Sequence, residues 1–433
     1  MKFPDISSVE TYLNSLINYE HAFPLGGARD RPKLEPTYRA VERLRLSLNL
    51  PNCLHIAGTK GKGSVVSFLE AIFRDDLPTL SFTSPHLMSF TERVRWNGKP
   101  LSEELWCKAM SEIVPSLSRE PAIGLTYFEM TWITFLWIAR ELRPAVPIVE
   151  AGLGGKWDAT NVLENSIAVL TPVDYDHTDV LGNTLTEIAT DKSGIIKPKV
   201  RVVVGRQTVE VIRVYRDITE KQSAEVQFFG DDFRWVAEDK DSFRYEDHLH
   251  SLSRLRLASP GTHQRDNAAV AINAAFCVDR DFPFHRIRSR LAECVVPGRQ
   301  QLLTGIPEVL VDVAHNPISF RALSDTLRSR FANRRINAVI GMMKNKDART
   351  SLASLKGLVQ NLYIVELNSP RSYKQADLAE VAAELEMNVI CPDSMEEAFL
   401  RLHKAGRTDL GLVAGSFYLA GDYLLWRKRA GIA

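Results

Sequence analysis

Cys53-Leu54-His55-Ile56-Ala57-Gly58-Thr59-Lys60-Gly61-Lys62-Gly63-Ser64 is the stretch whose reading decides the fold. An apolar run at 53–57 reads as a buried strand, and from Val65 to Phe73 apolar residues recur at helical spacing. Between them stands a turn built from Gly58, Gly61 and Gly63. Strand, glycine turn and helix N-terminus together cradle an anion: backbone N–H groups point into the turn, and the helix dipole favours negative charge. A lysine at the helix start, Lys62, reaches the outer phosphates of such a ligand. The usual phosphate-loop pattern puts Ser or Thr directly after Gly-Lys. Here Gly63 intervenes and the hydroxyl arrives at Ser64.

Working outward, 433 residues exceed one ordinary core, which predicts two domains. Apolar content of 45% with 25% charged residues suits a soluble globular protein. A net charge of +1 offers no whole-chain attraction for nucleic acid or membrane. Residues 1–5 lack the pattern of a signal peptide, and the greasiest run, Met130 to Ala139, is about half a membrane span. Five scattered cysteines without a Cys-x-x-Cys pair suggest neither disulfides nor zinc. A monomer in a reducing cytoplasm is expected.

Apolar strands alternate with helical patterns through both halves, which predicts parallel α/β sheets. Strands are read near 53–57, 79–83, 146–150, 167–172 and 201–205, and helices near 63–74, 102–114, 127–142 and 185–193. Residues 225–258 read as a small antiparallel appendage, and His263 to Cys277 as an Ala-rich helix. Pro297-Gly298-Arg299 resembles a hinge. Beyond it, strands at 309–313, 336–340, 362–367 and 410–414 form a second, smaller α/β unit. Two such domains predict chemistry in the cleft between them.

Several polar clusters fall at predicted strand ends, where parallel sheets place ligand groups. Ser84-Pro85-His86-Leu87 is one, although a serine before a proline also suits a plain cap. The adjoining Thr91-Glu92-Arg93-Val94-Arg95 reads as a solvated loop. Glu150 ends a buried strand and is followed by Gly152-Leu153-Gly154-Gly155 and Asp158-Ala159-Thr160-Asn161; a carboxylate there needs a partner or a cation. Asp174-Tyr175-Asp176-His177-Thr178-Asp179 offers oxygen ligands and one imidazole, which suits magnesium better than zinc. By pattern alone, Lys192 in Asp191-Lys192-Ser193-Gly194-Ile195-Ile196-Lys197 is an exposed helix lysine. The second domain contributes Arg299, Asp312 and His315 beside a strand-to-helix turn, and Gly415-Ser416-Phe417-Tyr418.

Taken in order, these motifs resemble the folylpolyglutamate synthase/dihydrofolate synthase family, a branch of the Mur ligases, from about residue 40 to the C-terminus. The resemblance implies residues 1–296 as an ATP-binding domain with a mainly parallel, P-loop-type sheet. Residues 297–433 would be a Rossmann-like glutamate-ligase domain. It implies an ATP- and magnesium-dependent amide ligase adding L-glutamate to a folate, and to dihydropteroate, through an acyl phosphate. Gly58, Thr59, Lys60, Gly61, Lys62, Gly63 and Ser64 would hold the ATP phosphates. Ser84, Glu150 and His177 would ligate the metal, and Lys192 would be a carbamylated lysine. Asn267 would face adenine, Arg299 a phosphate and Asp312 the ribose. His315 and Ser416 would meet the incoming glutamate, with Lys62, Glu150, His177, Lys192 and His315 counted as catalytic. Lys60, Asp191 and the Pro24–Pro32 segment depart from the family's usual residues. Rivals left standing are a Mur-type ligase acting on another acid, a motor-like or signalling ATPase, and a nucleotide binder without catalysis.

Overall fold

The computed structural model describes residues 2–19, 33–118, 123–404 and 406–432. The 24–32 segment singled out above lies outside them. The chain forms two compact units: Met1–Arg256 with Arg265–Cys294, and Leu257–Gln264 with Val295–Ala433.

The first unit is built on an eight-stranded sheet. Its strands are β1 (Leu54–Ala57), β2 (Thr79–Phe82), β3 (Val94–Trp96) and β4 (Lys99–Pro100), then β5 (Val146–Glu150), β6 (Ile167–Leu170), β7 (Arg201–Val204) and β8 (Glu225–Phe228). They run in the order β4-β3-β2-β5-β1-β6-β7-β8. From β2 to β8 every pairing is parallel, and only β3 and β4 are antiparallel. β1, β2, β5 and β6 are buried along their whole length, as parallel strands covered on both faces must be, so their sequences are mainly apolar, with His55, Thr79, Ser81 and Glu150 as buried polar exceptions. The greasy stretch after Met130 belongs to the helix Tyr127–Leu142, started by a Thr126–Glu129 capping box. Trp132 stacks on Phe135 at 5.1 Å, and both meet Phe82 of β2, which makes this helix part of the core.

Two expectations need correction. Residues 226–229 are not part of an antiparallel appendage: β8 lies parallel to β7 as the far edge of the main sheet. Only β9 (Phe233–Ala237), β10 (Phe243–Asp247) and β11 (Ser251–Leu255) form the separate antiparallel sheet. Apolar alternation marks a strand without naming its neighbour, and here the open edge of β7 takes it. The 91–95 segment is not a solvated loop either. It is a capped 3-10 turn, Phe90–Arg93, running into β3, and Arg93 is fully buried. Its guanidinium lies 4.8 Å over the Tyr127 ring and its Nε donates to His86 Nδ1 at 3.0 Å, so the buried charge gains π-face and hydrogen-bond partners.

The second unit carries a six-stranded sheet of β12 (Gln301–Leu303), β13 (Glu308–Val311), β14 (Ile336–Ile340), β15 (Val359–Ile364), β16 (Val389–Ile390) and β17 (Leu410–Ala414). The order is β12-β13-β17-β14-β15-β16, parallel except for β12. Helix Pro317–Arg330 links β13 to β14, with proline at its start, where the missing N–H is no loss. Gly298 is tied into this unit: its N–H donates to the Gln301 side chain and its carbonyl accepts from Val313 N.

Candidate active-site groups

In the first unit the glycine turn joins β1 to the helix Lys62–Phe73, with Gly61 in the left-handed region as its N-cap. A Cβ on Gly58 would fall 1.9 Å from the Thr171 hydroxyl, so only glycine lets the loop leave β1 this close to the end of β6. Thr59 and Lys60 donate their N–H groups to Pro172 O. The Lys60 ammonium pairs with Asp174 at 2.7 Å, and the Thr59 hydroxyl bonds the Asp174 backbone. Asn267 packs against the loop apex at Gly61.

Four predicted residues, Lys62, Ser84, Glu150 and Lys192, meet at this loop. Lys62 Nζ donates to Gly58 O at 3.1 Å and lies 3.9 Å from Glu150 Oε1. Glu150, at the end of β5, accepts from Ser84 N at 3.4 Å. Lys192 Nζ donates to the same Gly58 carbonyl, also at 3.1 Å. The reading of Lys192 as an exposed helix lysine is overturned, since it is only 3% exposed. Burial, then the like charge of Lys62, pushes its ammonium down to about 7, partly offset by Asp191, Asp176 and Asp158. The glycine-rich loop puts Gly155 against it: a Cβ there would strike the Lys192 backbone. Two lysine side chains thus converge on one carbonyl beside a helix N-terminus, an arrangement that favours an anion.

His177 stands on the loop after β6, at the start of the short helix Thr178–Leu181, with a left-handed backbone and a half-exposed ring. Among the described residues, no three His, Cys, Asp or Glu side chains gather into a cage for a metal. The predicted trio contains only two such residues, and a hard cation held by Glu150 and a serine hydroxyl takes its remaining oxygens from phosphate and water. The donor set therefore fits a divalent metal that arrives with a nucleotide.

In the second unit, Asp312 follows β13 and is buried. Its two oxygens accept from Gln300 N and Ala314 N at 2.8 and 2.6 Å. Burial pushes its carboxyl up to about 6, opposed by the nearby Arg299. The Arg299 guanidinium lies 4.9 Å over the Phe417 ring, and the His315 ring lies 6.1 Å from it on a tilted face. His315 Nδ1 donates to Val313 O at 2.9 Å. Ser416 caps the last helix by accepting Leu419 N and is buried. Phe417 thus organises Arg299 and His315, a part that sequence reasoning missed because an aromatic after a helix cap reads as core. Thr171, Pro172 and Arg93 were missed for a related reason: their roles are set by strands distant in sequence.

Residues 298–417 match the model of the Mur ligase glutamate ligase domain. The chain is 33% identical over 415 residues to a Bacillus subtilis dihydrofolate synthase/folylpolyglutamate synthase, covering 92% of this chain and 95% of that one. Among solved structures it resembles Escherichia coli FolC in complex with DHPP and ADP. That likeness has a TM-score of 0.87 at 29% identity and covers 100% of both chains. It also resembles a bifunctional folylpolyglutamate synthase/dihydrofolate synthase with Mn, AMPPNP and L-glutamate bound. Here the TM-score is 0.83 at 27% identity, with 98% of each chain covered.

Proposed function

The chain belongs to the dihydrofolate synthase/folylpolyglutamate synthase family of ATP-dependent glutamate ligases, and from that membership we propose how its own residues carry the reaction. The enzyme uses a nucleotide and a divalent metal, which we take to be magnesium, and adds L-glutamate to a folate carboxylate. Its likeness to dihydrofolate synthases supports dihydropteroate as a second acceptor. We assign residues 1–296 to ATP binding and 297–433 to glutamate ligation, in keeping with the family match at 298–417.

A carboxylate is a poor electrophile with a poor leaving group. Its oxygen attacks the γ-phosphorus, the bond to the ADP oxygen breaks, and an acyl phosphate results. The glutamate amine then adds to the carbonyl, loses a proton, and phosphate departs with its bonding pair. Residues 58–64 supply N–H groups and the Lys62 ammonium to the phosphates. Glu150, Ser84 and His177 would hold the metal, whose charge neutralises the phosphoryl oxygens as they transfer. Lys192, buried and with its ammonium pushed down to about 7, is suited to take up CO2 as a carbamate. That change would turn a surplus cation beside Lys62 into a metal-binding anion. Asn267 is assigned to adenine, Arg299 to phosphate and Asp312 to the ribose, while His315 and Ser416 position glutamate. The observation that carries this reading is the meeting of Lys62, Glu150 and Ser84 behind the glycine turn.

The test is purified protein with ATP, magnesium, glutamate and either dihydropteroate or a reduced folate. Product gaining one glutamyl unit, with phosphate release that needs both acceptor and amine, is expected. Phosphate release indifferent to both would overturn the assignment.

A further inference from the structure

Beneath the phosphate loop runs a buried hydrogen-bond chain that none of these roles uses. His55 sits in β1, between Val149 of β5 and Ala168 of β6, with no exposed surface. Its Nε2 lies 2.8 Å from the Thr160 hydroxyl, on the 3-10 turn Ala159–Val162. That hydroxyl meets Oδ1 of Asp158, the cap of the same turn. Asp158 Oδ1 also accepts Thr160 N at 3.0 Å, and Oδ2 accepts Leu153 N at 2.9 Å.

The protons can be placed by counting donors. Burial raises the Asp158 carboxyl, but the Thr160 hydroxyl and the N–H groups of Leu153, Thr160 and Gly152 oppose that shift. With N–H donors on both oxygens it accepts, so the single Thr160 hydroxyl proton goes to Asp158. The hydroxyl oxygen can then only accept from His55, which puts the ring proton on Nε2 and leaves Nδ1 bare. His55 Nδ1 is a buried atom without a hydrogen-bond partner. Burial and the Lys197 charge push the ring down to about 3, so it is neutral at working pH.

The far end of the chain reaches Lys192. Asp158 closes the 153–158 loop through Leu153 N. The same loop donates Gly155 N to Asp191 Oδ1 at 3.0 Å and Lys156 N to Asp191 O at 2.8 Å. Gly155 rests directly on the backbone of Lys192. We propose that His55, acting through Thr160 and Asp158, is a positioning residue that ties the strand carrying the phosphate loop to the loop that seats Lys192. The catalytic consequence rests on the ligase reading above; the proton arrangement does not.

The test pairs variants that keep or remove each link. Thr160→Val removes the hydroxyl and should lower kcat at least tenfold while KM for ATP stays within twofold, because the phosphate loop is untouched. Thr160→Ser restores the hydroxyl and should recover kcat to within threefold of wild type. His55→Gln, whose amide can donate to Thr160, should likewise outperform His55→Leu, so the idea survives if one valine or leucine variant fails to fold. Independently, 15N-labelled histidine in the whole protein should show His55 protonated on Nε2 alone at pH 7. A ring protonated on Nδ1, or valine and serine variants with equal kcat, overturns the proposal. Wild-type turnover is measured first; if it is absent, the ligase reading has failed, and the ring-nitrogen spectrum still judges the relay.

Discussion

Lys192 in the first unit and Asp312 in the second are both buried ionisable side chains, and burial drives both towards neutrality, one down to about 7 and the other up to about 6. Their neighbours differ. After burial, the largest influence on Lys192 is the like charge of Lys62, which adds to the effect. For Asp312 it is Arg299, which opposes it, together with two backbone N–H donors. The carboxylate thus has an opposite charge beside it, whereas the lysine has a like charge beside it, offset only in part by Asp191, Asp176 and Asp158. That contrast separates a carboxylate steadied by its neighbour from an ammonium further destabilised by its own.

The comparison breaks most severely at Glu150, the carboxylate nearest Lys62 in the first unit. Glu150→Ala should cost at least about a hundredfold in kcat, the scale of one preorganised electrostatic group. Its thermal unfolding should stay near wild type; near-normal turnover would sink the proposed metal site. Next comes Lys192 itself. Only the neutral amine takes up CO2, so kcat should fall as pH drops through about 7 and the ammonium form accumulates. In CO2-depleted buffer it should fall about tenfold and recover with bicarbonate; a rate indifferent to CO2 rules out the carbamate. Electron density beyond Nζ would show the group directly.

The smallest effect is expected at Asp312. Asp312→Asn leaves one oxygen for two N–H donors and should raise KM for ATP roughly tenfold, the scale of a hydrogen bond to a charged group. Because the folded-state pKa is raised, stability from protonation is present below the unfolded value and is lost as pH rises through about 6. Denaturant titrations should therefore show wild type gaining on the Asn variant as pH falls from 7 to 5. An unchanged difference would mean that the carboxyl is solvated.

Much of the first unit was legible because its strands are short and mainly apolar, and glycine follows β1, β5 and β7 within two residues. β1, β2, β5, β6 and β7 begin or end within two residues of the sequence reading. Helix Tyr127–Leu142 carries its own start signal and was read to the residue. The short antiparallel strands β3 and β4 were not legible. Arginines and a lysine among so few residues look solvent-facing until Glu70 is seen to pair with Arg95, and Tyr127 and His86 to receive Arg93. Phe417 could be quoted but not interpreted, since nothing local announces that two polar side chains will flank its ring.

Read without coordinates, the chain already shows a glycine turn joining a strand to a helix, a carboxylate ending a neighbouring strand, and the family that these motifs resemble. Those signals are local: φ-permissive glycines, apolar periodicity and the order of motifs along the chain. Only the tertiary structure decided that Lys192, more than a hundred residues away, is buried on the Gly58 carbonyl beside Lys62. It also decided that β8 extends the main sheet and that His55 reaches Asp158 through Thr160. Burial depends on which distant segments pack together, and burial is what makes a charge costly, displaces its pKa and gives a single hydroxyl proton its direction.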